Sequence, residues 1–401
     1  MTGAALAEAF DLAALPPGFA EDPFPTYRAL LDHAPLKWFP DGSVMLSRWE
    51  DLDRVYRDTA TFSSDKHEEF APKYGRDAPL YAHHTTSLVF NDPPLHTRVR
   101  RILVGALTPR VLAAMEPGLI ALVDRLLDAL PPEPDLIEDF ASRIPIEVIG
   151  NLFDMPHEER GPLRDWSLAI LGALEPVLKP EQEATGNEAV TAFCDYLRDL
   201  VARRTAAPGD PQTDVLTRLI QSEEKLTEQE LLQNCIFILN AGHETTTNLI
   251  GNGLHELCLW PEQRARLIAD PSLADTAVEE VLRFQSPNQL GNRAATGPAE
   301  FHGETLPAGT RIHLAIGAAN RDPRKFEQPD RLDLSRKPNK HLAFAGGPHM
   351  CLGFTLARME GRIALTRFLS RFPDYVLAGP PERTGRVRFR GLSRLPARLE
   401  P

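Results

Sequence analysis

HLAFAGGPHMCLGFTLARME occupies residues 341–360. A glycine-rich loop here delivers a lone thiol, Cys351, to the start of a helical run. Phe344, Gly347 and Gly353 complete the pattern F-x-x-G-x-x-x-C-x-G. Free backbone N–H groups and the helix dipole at such a start favour thiolate over thiol. Gly346, Gly347 and Gly353 permit tight turns and the close approach of a flat ligand. An isolated, electron-rich sulfur held this way suits thiolate-ligated haem iron, where it pushes electron density toward O–O cleavage. The plainer reading of Cys351 is a buried, inert thiol beside a turn.

The rest of the composition narrows the class. Hydrophobic residues make up 42% and charged residues 25% of the 401, enough apolar side chain for a large core. That length by itself suggests two or three domains. The net charge of −12 argues against nucleic acid as a partner. No apolar run reaches about 18 residues, so no membrane span is expected. The N-terminus lacks the basic and continuous apolar regions of a signal peptide. The other cysteines, Cys194, Cys235 and Cys258, form no CxxC pair and fall in apolar helical patterns, as core residues do. A reduced, cytoplasmic setting fits them.

Helical periodicity dominates the chain. Amphipathic patterns are expected at 23–33, from Pro93 through a basic run to Leu107, and at 110–129, 136–153, 159–174 and 186–204. Residues 38–47 carry a strand-turn-strand signal, whereas 65–90 read as irregular. Thr227 and Glu230 form a capping box, after which the apolar pattern continues without proline until Pro261. A helix of that length, roughly 50 Å, must cross a whole domain. Further helices are expected from Ser272 to Gln285 and from Leu352 to Phe368, with short strand-like pieces between and after them.

Midway along the long helix lies Ala241-Gly242-His243-Glu244-Thr245-Thr246. An interior glycine followed by threonines marks a place where the helix can widen or kink and admit a hydroxyl or water. An acid and an alcohol side by side there could pass protons into a buried site. Equally, Thr245 could bond back to its own helix and Glu244 could be a solvated charge. The His243-Glu244 pair is also found in zinc-protease helices, but position 247 is Thr, so that reading fails. Glu280 and Arg283 share a helix face, as do His96 and Arg100. With Arg293 and His349, the latter pair could meet two carboxylates of a ligand.

In order and spacing these segments resemble the cytochrome P450 family, of the soluble bacterial type, over essentially the whole chain. The resemblance implies one mostly helical domain, mainly α with small β-sheets, so the length argument for several domains is overruled. It implies no fused reductase and no membrane anchor. Cys351 would be the axial ligand of a b-type haem, with Phe344, Gly347 and Gly353 shaping the loop. His96, Arg100, Arg293 and His349 would pair with the haem propionates. Ala241, Gly242, Glu244 and Thr245 would form the oxygen-activation segment, with Glu244 gating protons. Glu280, Arg283 and Arg331, the last from Pro329-Asp330-Arg331-Leu332, would form a buried structural triad.

The implied activity is monooxygenation of a small or medium apolar organic substrate. Electrons would come from NAD(P)H indirectly, through a ferredoxin and a ferredoxin reductase, with Arg98, Arg101 and Arg110 as a docking face. The substrate pocket would draw on Tyr74, Tyr81, His83, His84, Asn288 and Gln289. A monomer is expected. A peroxide-driven haem-thiolate peroxygenase is the competing enzyme reading, but it has no need of Glu244 and Thr245. A gas sensor or electron carrier is the non-enzymatic one, and neither uses a substrate pocket with a proton relay.

Overall fold

The central helix, Glu228–Leu259, organises the molecule in the computed structural model, which describes residues 2–105 and 107–400. Its start is fixed by the expected capping box: Thr227 Oγ1 accepts from the Glu230 N–H at 3.2 Å, and Glu230 accepts from the Thr227 N–H at 2.8 Å. The helix stops at Leu259, and Pro261 then opens a further helix, Pro261–Ala269. From Leu232 to Leu257 most of its side chains are buried. Such all-round burial marks a helix enclosed by others. Its glycines let those neighbours approach: a methyl group on Gly251 would lie 2.5 Å from Ile137 Cδ1.

The cysteine-bearing loop leads into a second framework helix, Phe354–Arg371. Arg362, Arg367 and Arg371 of that helix pair in turn with Glu116, Asp124 and Asp128 of the neighbour Pro109–Asp128, which runs alongside in the same direction. Singly, such half-exposed pairs contribute little, but together they fix the register of the two helices. The same helix packs on the central one, where Leu249 approaches the backbone of Gly361.

A five-stranded sheet forms the other lobe, in the order Leu36–Trp38, Val44–Leu46, Arg311–Ala315, Leu290–Ala295, Phe62–Ser63. The strand-turn-strand signal at 38–47 is its first antiparallel pair. The sheet has its own apolar cluster around Val44, Leu52, Phe62, Ile312 and Leu314. The architecture is thus mainly α with small sheets.

Several boundaries differ from the sequence reading. Residues 65–90 are not irregular, because they hold helices His67–Tyr74 and Pro79–Thr86. The second is buried on several sides and so carries no amphipathic stripe to detect. The single helix expected at 136–153 is a π-turn at Leu136–Ala141 followed by Arg143–Leu152. The basic helix runs Leu95–Val104, and Ala106, within its expected end, lies outside the described residues. Among the described residues, no single helix is long and apolar enough to cross a membrane.

Candidate active site

The loop before Cys351 is built against the helix Trp49–Arg57. Gly347 has φ +62°, and a Cβ there would lie 2.1 Å from the Tyr56 carbonyl oxygen, so only glycine fits. The need for Gly347 therefore comes from a backbone neighbour, whereas a Cβ on Gly353 would meet nothing within 4 Å. The Cys351 N–H donates to the Phe344 carbonyl at 2.9 Å and closes the loop. The Phe344 ring packs among His341, Phe354 and the Arg358 guanidinium.

Cys351 itself is accessible, although protein surrounds it closely enough for burial to push its thiol up. The Gly353 N–H, Arg100 and Arg358 pull the other way without prevailing. The loop alone thus does not hold a thiolate, contrary to expectation; a cation at the sulfur is needed. Among the described residues no group of three or more His, Cys, Asp or Glu is placed to hold a metal ion. A metal bound at Cys351 must therefore bring its other ligands with it.

The central helix supplies the facing wall. Ala241, Thr245 and Leu249 are four apart and share one face. Leu249 packs on the cysteine helix at Gly361. One and two turns earlier that face opens, because Thr245 and Ala241 retain accessible surface in an otherwise buried helix. These surfaces and Cys351 are accessible to a ligand. The helix remains α-helical through this segment, so the expected widening is absent. Gly242 instead admits a neighbour: a Cβ there would lie 2.2 Å from Ile149 Cδ1. Thr245 Oγ1 donates to the Ala241 carbonyl at 2.8 Å.

Glu244 is not solvated. It is 3% exposed, and Arg386 Nη1 donates to both its oxygens at 2.8 and 2.7 Å. Arg386 Nη2 holds the Leu168 carbonyl at 2.8 Å. Burial raises the Glu244 carboxyl to about 7, against the pull of Arg386 and with a smaller push from Glu175. A carboxyl poised near neutrality exchanges protons readily.

His96, Arg100, Arg293 and His349 gather at one place. The His96 and His349 rings lie 3.9 Å apart. Burial, then Arg293, His96 and Arg100, press His349 down to about 2. Burial and Arg100 likewise lower His96. Arg100 and Arg293 donate to the backbone carbonyls of Met350 and Asn292, while His96 Nε2 and Arg293 Nε are buried without partners. Asp92 is the acid that offsets this field, and it is already bonded to Ser63 and Ser64. Clustered cations and orphaned donors without matching carboxylates fit a dianionic ligand edge. With the accessible Cys351, this donor set fits a haem with two propionates.

The buried Glu280 network needs one correction. Arg283 pairs with Glu280 through two 2.8 Å bonds, and both side chains are fully buried. The third member is Arg336, whose Nε reaches both Glu280 oxygens at 3.1 Å. Arg331 contributes only its carbonyl, while its exposed side chain reaches Gln328. The P-x-R spacing pointed to Arg331, but the chain turns at Asp333 and brings the next arginine inward. Asn339 also bonds Glu280, so the network braces the segment entering the cysteine loop. Arg336→Met is expected to cost about 3 kcal/mol by leaving a buried charge short of a partner. Arg331→Met should stay within about 0.5 kcal/mol. Denaturant unfolding of the two variants checks the difference.

The proposed docking arginines are also partly committed, because Arg98 pairs with Glu230 and Arg101 with Glu224. Of the expected pocket residues, Tyr74 donates to the Ala173 carbonyl at 2.6 Å and His83 meets Gln233 at 2.9 Å. Tyr81 accepts from Arg76. The His84 ring lies among Phe70, Tyr74 and Phe90, while Asn288 Oδ1 and Gln289 Oε1 are buried and unpartnered. Arg336, Arg386 and Arg388 went unnoticed in the sequence. The arginines at 383, 386, 388 and 390, interleaved with apolar residues, were the available signal that this tail turns charge inward.

Comparison with known proteins agrees with this geometry. The cytochrome P450 family model matches residues 166–376. Cytochrome P450 107B1 of Saccharopolyspora erythraea is 40% identical over 314 residues, 77% of this chain and 76% of that protein. The vitamin D(3) 25-hydroxylase of Pseudonocardia autotrophica is 36% identical over 393 residues, 96% of this chain and 95% of that protein. Among solved structures, P450BioI in complex with hexadec-9Z-enoic acid ligated acyl carrier protein superposes with a TM-score of 0.90 at 33% identity, covering 95% of this chain and 99% of that one. The cysteine loop, the cluster of arginines and histidines and the acid–alcohol helix thus occur in a chain that belongs to the cytochrome P450 family, as a monooxygenase of the bacterial type.

Proposed function

We propose that the chain inserts one atom of O2 into an organic substrate bound between Cys351 and the Ala241–Thr245 face. The observation that carries this reading is the buried Glu244, raised to about 7 beside Thr245. When bound, a b-type haem supplies the oxygen chemistry. Cys351 Sγ is its ligand in this reading, and His96, Arg100, Arg293 and His349 hold its propionates. The Thr245 hydroxyl proton is committed to the Ala241 carbonyl, so its lone pairs are free to accept from a water or hydroxyl beside it. Thr245 therefore positions a proton donor, and Glu244 replenishes it. Gly242 keeps the helix seated on Ile149, so that both side chains hold their places.

Electrons come from NAD(P)H through a separate ferredoxin and its reductase, with the protein a cytoplasmic monomer. Docking draws on exposed cations other than the paired Arg98 and Arg101, Arg110 among them. The substrate's reacting part is apolar, in keeping with the accessible Ala241 side chain.

The test is turnover by the haem-loaded protein, supplied either with O2 and reduced ferredoxin or with hydrogen peroxide alone. Product formation that requires O2 and reductant supports the proposal. Product formation at full rate from peroxide alone would make the protein a peroxygenase, with Glu244 dispensable.

A further inference from the structure

Four segments meet at a buried charged knot on the expected pocket wall. Lys73 Nζ donates to the Glu175 carbonyl at 2.9 Å, and Arg388 Nε donates to the adjacent Leu174 carbonyl at 3.0 Å. Arg388 Nη1 takes the Leu290 carbonyl at 2.8 Å, while Nη2 has no hydrogen bond among the described residues and is not sealed from solvent. Both cations are thus held by neutral oxygens.

The nearby acids are otherwise engaged. Glu175 accepts from the backbone N–H groups of Val387 and Arg388. Glu69 lies 2.9 Å from the buried Lys66. Glu183 acts on Tyr74 from the helix Pro180–Ala206, where it is half-exposed. Within the knot, Lys66, Lys73 and Arg388 face Glu69 and Glu175, leaving one cation in excess. Burial and Arg388 depress Lys73 to about 8, as expected of cations crowded without enough acid.

Beside this excess charge lies an aromatic surface. His84, 1% exposed, has an unpartnered Nε2, and its ring lies 5.6, 5.4 and 5.5 Å from those of Phe70, Tyr74 and Phe90. Asn288 Oδ1 and Gln289 Oε1 are also unpartnered, and Gln289 is joined to Arg388 through its backbone. A purely hydrocarbon substrate would leave this cation and the His84 ring nitrogen unmatched, and the two amide oxygens without a donor.

We propose that the knot anchors the substrate and takes a carboxylate. The substrate is then an organic monocarboxylic acid whose acid group lies between Arg388 Nη2 and Lys73 Nζ. Its apolar body follows the aromatic side chains toward Ala241 and Thr245. This rests on the monooxygenase reading and narrows it: the reacting part is apolar, but the far end is anionic.

The test uses the haem-loaded protein with dodecanoic, phenylpropanoic and cyclohexylacetic acids, each against its methyl ester. Binding is followed by titration calorimetry and by the spin-state shift of the Soret band. At least one acid is expected to bind about 10–100-fold more tightly than its ester, the range of a charge-assisted contact. Lys73→Met and Arg388→Met should each remove most of that preference while leaving ester binding unchanged. Because Arg388 also ties two loops together, the half-exposed Lys73 provides the variant that folds normally. Acids that bind no more tightly than their esters, or that do not bind at millimolar concentration, overturn the proposal. A protein with a thiolate-type carbon monoxide spectrum but no acid preference loses only this inference. One without that spectrum loses the underlying reading, and calorimetry still reports on the acid.

Discussion

Cys351→Ala is expected to abolish the strongly red-shifted Soret band of the reduced, carbon monoxide-bound protein and to lower turnover by at least about 10³-fold. The argument starts from the isolation of this thiol. Cys194 and Cys235 are buried and Cys258 is half-buried, all three on helices, whereas Cys351 is exposed in a loop. No metal-ligating group of three or more residues is available among the described residues to take over. The cluster of Arg100 and Arg293 with the neutral His96 and His349 does not depend on the sulfur. The variant should therefore retain some haem through the propionate contacts while losing the sulfur's electron donation. This separates ligation from binding. Haem retained with a normally placed Soret band assigns the sulfur as ligand, whereas a red-shifted band persisting in Cys351→Ala removes Cys351 from that role.

The parts of this site that the sequence disclosed are those whose chemistry is local. A capping box lies within four residues, and Thr227 and Glu230 bond as their spacing requires. The cysteine loop is likewise one continuous segment, and its glycines mark the tight turn in which Gly347 takes a positive φ. What remained hidden was the identity of distant partners. Nothing adjacent to Glu244 reveals that Arg386, 142 residues later, buries and pairs it. Arg331 and Arg336 look equivalent until the turn at Asp333 directs one inward and the other to solvent. Gly242 invited a reading as a flexible point, but its place is set by Ile149 on another helix. Long-range packing decided each of these cases, and periodicity carries no information about it.

Glu244→Gln is the second large effect, a fall in turnover of about 10²–10⁴-fold, the usual cost of losing a general-acid relay. Direction and pH dependence follow from the balance at this carboxyl. Burial holds it at about 7, so both protonation states are populated near neutrality. The proton-delivering form is the neutral acid, whose fraction shrinks as pH rises above that value. Turnover limited by proton delivery should therefore fall above about pH 7 in the wild-type protein, and Glu244→Gln should be slow and flat across the same range. Arg386 supplies the discriminating variant. Its guanidinium lowers the carboxyl's pKa, so Arg386→Met should move the inflection to higher pH rather than erase it. A carboxylate that only stitched Arg386 to the central helix would behave differently. Glu244→Gln would then lower stability and leave the shape of the pH profile and the solvent isotope effect unchanged. Measuring both profiles with saturating reductant separates a proton relay from a strut, because only the relay ties the inflection to the charge on Arg386.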